Sequence, residues 1–293
     1  MTAQFVLPTL VAVVLVCSMG LADWRLHPRV ALPVLSAAMF IAAAGLLVVL
    51  AGAATGFVLG PARSSSVLAW CRVIPLHHQV HPVAGIGALC ALTLVGWRVA
   101  LVLRARRQVI GSVDADARIS IIDDDDPVAH AVPTRAGCVV VSTGLLSVLT
   151  PAERRAVFAH ERAHLQLGHH RYILLAELCV AALPLVRPLA NQLRHATERA
   201  ADEAAAAHVD NRTIVARAIG AVVLGPELRG VPGLGGGSIP RRVEALLWPE
   251  REGLASKHIS TLSASITVAA AVAVAVQLHH FGELVNHLCN STS

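Results

Sequence analysis

Thr150-Pro151-Ala152-Glu153-Arg154-Arg155-Ala156-Val157-Phe158-Ala159-His160-Glu161-Arg162-Ala163-His164 is the stretch whose reading decides how this chain folds. It opens with a capping residue, a proline in the first helical position and a glutamate in the third, which together make a capping box. A helix is therefore expected from Pro151 to Leu167 or His170. Ala156, Val157, Phe158, Ala163 and Leu165 make that helix apolar enough to be buried. It carries His160-Glu161-Arg162-Ala163-His164, an H-E-x-x-H pattern. Histidines four apart lie on one helical face, one turn from each other, so both imidazoles can reach one zinc ion at about 2.0–2.1 Å. Glu161 points beside the metal, where it can act as general base toward water. Among 15 histidines a bare H-x-x-x-H pair would mean little. The intervening glutamate and the helix start upstream give it weight. A buried helix bearing this ionisable face needs a partner for it, and a metal supplies one.

The rest of the chain sets that helix in a membrane protein. Of 293 residues, 55% are hydrophobic and 15% charged, and the mean hydropathy is +0.63, too high for an ordinary soluble domain. About four membrane spans are expected by length and low charge: Phe5–Leu21, Val30–Leu50, Val83–Leu103 and Ile259–Phe281. The first lacks a preceding Lys or Arg and is followed at once by another, so a retained span is favoured over a signal peptide. The net charge of +5 does not indicate nucleic-acid binding, because its arginines sit at span ends, Arg25 and Arg29 in the first loop and Arg104, Arg106 and Arg107 after the third span. Positive charge marks the cytoplasmic side, which puts residues 104–258 inside and 51–82 outside; Arg63, Arg72 and the histidines at 77, 78 and 81 run against this in the second loop. The six cysteines form no framework and show no zinc-ligand spacing; Cys71 and Cys289 would both be external, leaving a disulfide between them open. With one lysine, Lys257, against 23 arginines and abundant alanine, the composition points to a GC-rich bacterial source.

Residues 104–258 are the one stretch long enough for a separate domain. Ile119–Ile122 and Cys138–Ser142 read as strands. Asp123 to Asp126 reads as a solvated loop in preference to a calcium loop. In zinc peptidases an edge strand just before the zinc helix pairs with the extended substrate, so Cys138–Ser142 is a candidate for strand addition, with an ordinary core strand as the alternative. Tyr172–Ala190 is apolar but contains Glu177, Pro184 and Arg187. Residues beyond it must return to the same metal, and two crossings need about 40 residues plus a turn, whereas 33 separate His164 from Glu198. A buried or interfacial helix is expected there. Residues 230–238 read as a flexible Gly-rich linker or gating loop, and Pro240 to Leu247 as a short helix.

A catalytic zinc wants three protein ligands and an open position. His170 has the spacing of the H-E-x-x-H-x-x-G-x-x-H type, but the glycine is one place late, at Gly168 rather than 167. His169, His170 and Arg171 then read as a polar helix end. Glu198 is the stronger candidate. Thr197-Glu198-Arg199-Ala200-Ala201-Asp202 lies in an Ala-rich helix, and Glu198 and Asp202 share a face. Glu198 can bind zinc while Asp202 accepts a hydrogen bond from the distal nitrogen of a zinc-bound histidine. A solvated acidic face is the competing reading, against which the small residues around it argue for close packing. The oxyanion partner is not identifiable; Tyr172, His195, His208 and Arg217 are candidates.

H-E-x-x-H followed by E-x-x-x-D, behind three spans and before a fourth, resembles the BlaR/MecR-type membrane metallopeptidases through the Arg241-Arg242-Val243 segment. The resemblance implies a cytoplasmic peptidase domain with Glu161 as general base and one Zn2+ held by His160, His164 and Glu198. HtpX-type membrane proteases share the motif pair but usually insert two spans between the motifs, for which the spacing here leaves no room. The antibiotic-sensing members carry a large extracellular penicillin-binding domain after the last span, whereas this chain ends at Ser293 and shows no S-x-x-K motif in its tail.

The fold class expected is therefore mainly α, a multi-pass membrane protein with a cytoplasmic α+β zincin-like metallopeptidase domain. The divisions are 1–103 with three spans, 104–258 as the peptidase domain, 259–281 as a fourth span and 282–293 as a short extracytoplasmic tail. The function expected is zinc-dependent endopeptidase activity at the bacterial inner membrane. By resemblance the substrate is a cytoplasmic protein, a transcriptional repressor in a stress or antibiotic response. Membrane-protein quality control of the HtpX kind, or a non-catalytic zinc-bearing membrane sensor, are the alternatives. The expected partners are that substrate and the lipid bilayer, with no direct nucleic acid and with homo-oligomerisation left open.

Overall fold

The structure, a computed structural model, describes residues 3–21, 28–59, 81–223, 238–248, 261–276 and 278–279. Cys71, Cys289, Arg25, most of the 51–82 loop and Gly-rich residues 230–237 lie outside them.

Three helices lead the chain: α1 (Ala3–Leu21), α2 (Pro28–Leu59) and α3 (Pro82–Gly111). Among the described residues α2 and α3 are long and apolar enough to cross a membrane, with 18-residue stretches of mean hydropathy 2.6 within Val30–Val58 and 2.1 within Pro82–Gly111. The other two expected spans appear as shorter apolar helices, Val6–Met19 within α1 and Thr261–Val276 near the end of the chain. Along α3, Val83, Ile86 and Trp97 are more than half exposed, an outward face that lipid would cover.

A small sheet follows, β1 (Ile119–Ile122), β2 (Ala129–Val132) and β3 (Cys138–Ser142), then α4 (Thr143–Val148). Two of the strands are those expected; β2, four residues between Pro127 and Pro133, is an addition. The spatial order is β1-β3-β2, with β3 parallel to β1 and antiparallel to β2. This corrects the edge-strand expectation. Cys138–Ser142 is the central strand, buried at every position, and both its edges are paired, so it has no groups left for a substrate. Of β2 and β3, β2 makes the more extensive contact with the helix that carries His160 and His164. Ser142 N–H donates to Val128 O, and with Ala131 opposite Val139 this phase turns the N–H and C=O of Ala129 and Ala131 away from β3, toward the open edge.

α5 (Pro151–Gln166) begins as the capping box requires. The Thr150 N–H and hydroxyl both donate to Glu153 Oε2, at 2.9 and 2.7 Å, and the Glu153 N–H donates back to Thr150 Oγ1. The helix stops at Leu167 because Gly168 adopts a left-handed conformation, φ +66°, where only glycine carries no steric cost. α6 (His169–Ala182) restarts from that turn. It has 14 residues, about 21 Å at 1.5 Å per residue, short of a hydrocarbon core of about 30 Å. After a 3-10 turn at Pro184–Val186, α7 (Arg187–Val209) runs back to α5. The apolar 172–190 stretch is thus a helical hairpin packed on α1 and α2, where Met19, Leu35 and Met39 meet Cys179, Val186, Leu189 and Leu193. α8 (Arg212–Val223) and α9 (Ser238–Leu247) close over α5 and α7.

Candidate metal centre

α5 and α7 cross so that one turn of each faces the other. Regular 3.6-residue geometry places His160 above His164 on α5, and Glu198 above Asp202 on α7. The His160 and His164 Nε2 atoms lie 3.1 Å apart. Glu198 sits 3.6 Å from each, through Oε2 to His160 and through Oε1 to His164. Three donors bound at 2.0–2.1 Å with tetrahedral angles would be separated by about 3.3–3.4 Å; the two nitrogens and the Glu198 carboxylate, whose ligand atoms lie within 4.8 Å of one another, fit a zinc-sized ion. Among the described residues His160, His164 and Glu198 form the one cluster of three or more metal-ligating side chains.

The surrounding hydrogen bonds orient the donors. Asp202, 2% exposed, accepts from His160 Nδ1 at 3.0 Å. This leaves the Nε2 lone pair of His160 pointing at the centre. Asp202 is itself gripped by Arg242 of α9, whose Nε and Nη2 donate at 2.7 and 2.8 Å in a bidentate fork. Arg242 Nη1 also lies 2.9 Å from Glu198 Oε2. One guanidinium thus ties together both carboxylates of the E-x-x-x-D pair.

These contacts set the charges. Burial works to lower the His160 pKa, but its bonds to Asp202 and Glu198 outweigh it and push it up to about 9. His164 lacks a carboxylate on its other nitrogen; burial and the His160 charge bring it down to about 4. Glu198 is disfavoured as an anion by burial, yet His160 and Arg242 hold it at about 2. Asp202 is lowered too, its bonds to Arg242 and His160 overcoming burial. Glu161, at 9% exposure, moves the other way. Burial raises its carboxyl above the usual range and Glu198 adds to this, while His160 and a backbone hydrogen bond from Ala131 pull it back. A carboxyl raised in this way suits a proton acceptor working near neutral pH.

A cleft of about 290 Å³ opens on the donors, walled by Ala129, His130 and Ala131 of β2 on one side and by His160, Glu161, His164 and Glu198 on the other. The open edge of β2 therefore lies along the metal centre. His170 also lines the cleft, but its nitrogens stand outside the donor cluster, and its carbonyl accepts from Arg106 at 2.9 Å. Tyr172, His195, His208 and Arg217 do not line the space around the donors; Arg217 is 73% exposed and lies 3.8 Å from Glu153.

Arg242 escaped the sequence reading, although its segment carried part of the resemblance. One signal pointed to it: two carboxylates four apart beside two imidazoles leave excess negative charge that a buried cation must balance. His169 escaped as well. It was read with His170 as a polar helix end, yet it is fully buried, with Nδ1 3.0 Å from His164 Nδ1.

Comparison with known proteins falls on this segment. Residues 101–186 match the model described as peptidase family M48. The chain is 39% identical over 77 residues to a protease HtpX homolog of Ralstonia nicotianae (strain ATCC BAA-1114 / GMI1000) and 38% identical over 77 residues to one of Ralstonia pickettii (strain 12J). Each match covers 25% of this chain and 26% of the relative, so the chain spans about a quarter of the length of the curated relatives it matches. No solved structure matches. The membrane zinc metallopeptidase resemblance expected from the paired motifs thus holds in its broader form: the segment that carries both histidines and Glu161 is similar to peptidase family M48.

Proposed function

We propose that the chain is a membrane-embedded zinc-dependent endopeptidase. Its four apolar helices cross the bacterial inner membrane and its site, within residues 104–258, faces the cytoplasm. The observation that carries this reading is the donor triangle of His160, His164 and Glu198 with buried Glu161 beside it and the open edge of β2 along it. Zinc, when bound, supplies Lewis acidity toward a carbonyl and toward water. The chain's own residues do the rest. The Ala129 backbone groups and the Ala131 carbonyl pair with an extended peptide as an added strand, while the Ala131 N–H is held by Glu161. Glu161 takes a proton from the attacking water and passes it to the departing amine, a role its raised pKa suits. Asp202 and Arg242 hold His160 and Glu198 in place throughout.

Two substrate readings follow. The motif resemblance supports cleavage of one cytoplasmic repressor. The protease HtpX homologs among the relatives favour the second, turnover of membrane proteins in quality control. Glu161→Gln tests the chemistry and separates these readings. The variant should keep stoichiometric zinc and lose peptide cleavage by about 10²–10⁴-fold, and it should trap either one protein or many in cells. A Glu161→Gln variant whose cellular phenotype matches wild type, with no peptide cleaved by either, would leave the non-catalytic sensor as the surviving reading.

A further inference from the structure

His169 has no task in the mechanism above, yet it is fully buried against the donors. The left-handed turn at Gly168 separates α5 from α6 and lays the His169 ring edge-on against His164, with centroids 4.8 Å apart. Its Nδ1 is 3.0 Å from His164 Nδ1, and its Nε2 is buried without a hydrogen-bond partner among the described residues.

Proton accounting assigns each nitrogen. A histidine that binds a metal through Nε2 is neutral and carries its one proton on Nδ1. For His164 that N–H points at His169 Nδ1, which must then be the acceptor. An imidazole that accepts at Nδ1 carries its own proton on Nε2, the atom left without a partner. Leaving a buried N–H unpaired disfavours folding, so its persistence asks for a reason at the site. We propose that His169 is a positioning residue for the metal: it accepts the His164 Nδ1–H, fixes the ligand tautomer and aims Nε2 at the ion. It does for His164 what Asp202 does for His160, with a neutral acceptor in place of a carboxylate. The centre is thereby spared a third negative charge beside Glu198 and Asp202. The inference rests on His164 being a zinc ligand.

The test is zinc affinity by chelator competition on the full chain in detergent, for wild type, His169→Leu and His169→Asn. Leucine fills the site without an acceptor; asparagine places an oxygen close to where Nδ1 stood. His169→Leu should bind zinc about 10–100-fold more weakly, while its metal-free form unfolds no earlier than wild type. His169→Asn should recover affinity to within about threefold of wild type. Equal affinity for His169→Leu and wild type overturns the inference, as does a folded His169→Asn that stays as weak as His169→Leu. Should both variants fail to fold, nitrogen chemical shifts of the zinc-loaded wild type decide, since a protonated Nδ1 on His169 overturns it as well. Wild-type protein that takes up no zinc would sink the peptidase reading itself, an outcome seen before any variant is made.

Discussion

Loading zinc into the metal-free protein should expel close to one proton at pH 7.5, and the contacts of His160 set that number. With its pKa at about 9, His160 holds ~0.97 of a proton at that pH. His164, at about 4, holds essentially none. Two ordinary histidines of pKa near 6.5 would together release only ~0.2. Metal binding requires both imidazoles neutral, so the His160 proton must leave. Glu161, raised by burial, and any water that ionises at the centre can only add to the count. Titration calorimetry in buffers of differing ionisation enthalpy measures the released protons directly. The same linkage makes zinc bind about tenfold more tightly per pH unit from about pH 5 to 8.5, levelling above 9. The sign for folding is opposite. A pKa raised above its unfolded value stabilises the metal-free protein fully below about pH 6.5, and that contribution is lost as pH rises through about 9. Release of fewer than about 0.3 protons at pH 7.5, or a flat affinity between pH 6 and 8, would refute the charge arrangement drawn from Asp202, Glu198 and Arg242.

Asp202→Asn tests the other half of the site. The carboxylate accepts three donors in a nearly dry position, and an amide cannot accept from all of them. Breaking a buried ion pair of this kind costs about 3–5 kcal/mol, read as earlier thermal unfolding of the metal-free protein, and zinc affinity should fall about 10–100-fold; a variant that binds zinc as tightly as wild type would contradict the orienting role. Gly144→Ala probes the support beneath the sheet. A Cβ there would run into the Asp125 carbonyl, where the Gly144 N–H already donates to Asp124 O at 2.8 Å. A loss of about 1–3 kcal/mol is expected, and an unchanged unfolding temperature would show that the acidic loop is free to move aside.

Periodicity and capping made the start of α5 at Pro151 legible to the residue, while its end fell at Gln166, ahead of the expected Leu167 or His170. The Thr150–Glu153 box and the H-E-x-x-H spacing are local, and a helix turns local spacing into shared direction. Loop-length arithmetic also held for the 172–190 hairpin, because chain reach is a hard limit that packing cannot relax. β2 was missed because four residues between prolines carry no alternating pattern long enough to count. With it went the identity of the edge strand, since strand order is set by pairing partners distant in sequence. Arg242 stands 40 residues beyond Asp202, across a Gly-rich stretch, where no spacing rule applies.

By itself the sequence determined the chemistry available: two imidazoles and a carboxylate on one turn of a capped helix, an i, i+4 acidic pair on another, and apolar stretches long enough to seek lipid. Those are short-range properties, set by helical geometry and by the cost of placing charge in hydrocarbon. Only the tertiary structure decided that α7 returns antiparallel to α5, that β2 and not β3 faces the donors, and that Arg242 and His169 complete their orientation. Each of these depends on which buried surfaces pack together, and packing is settled by the whole set of long-range contacts at once.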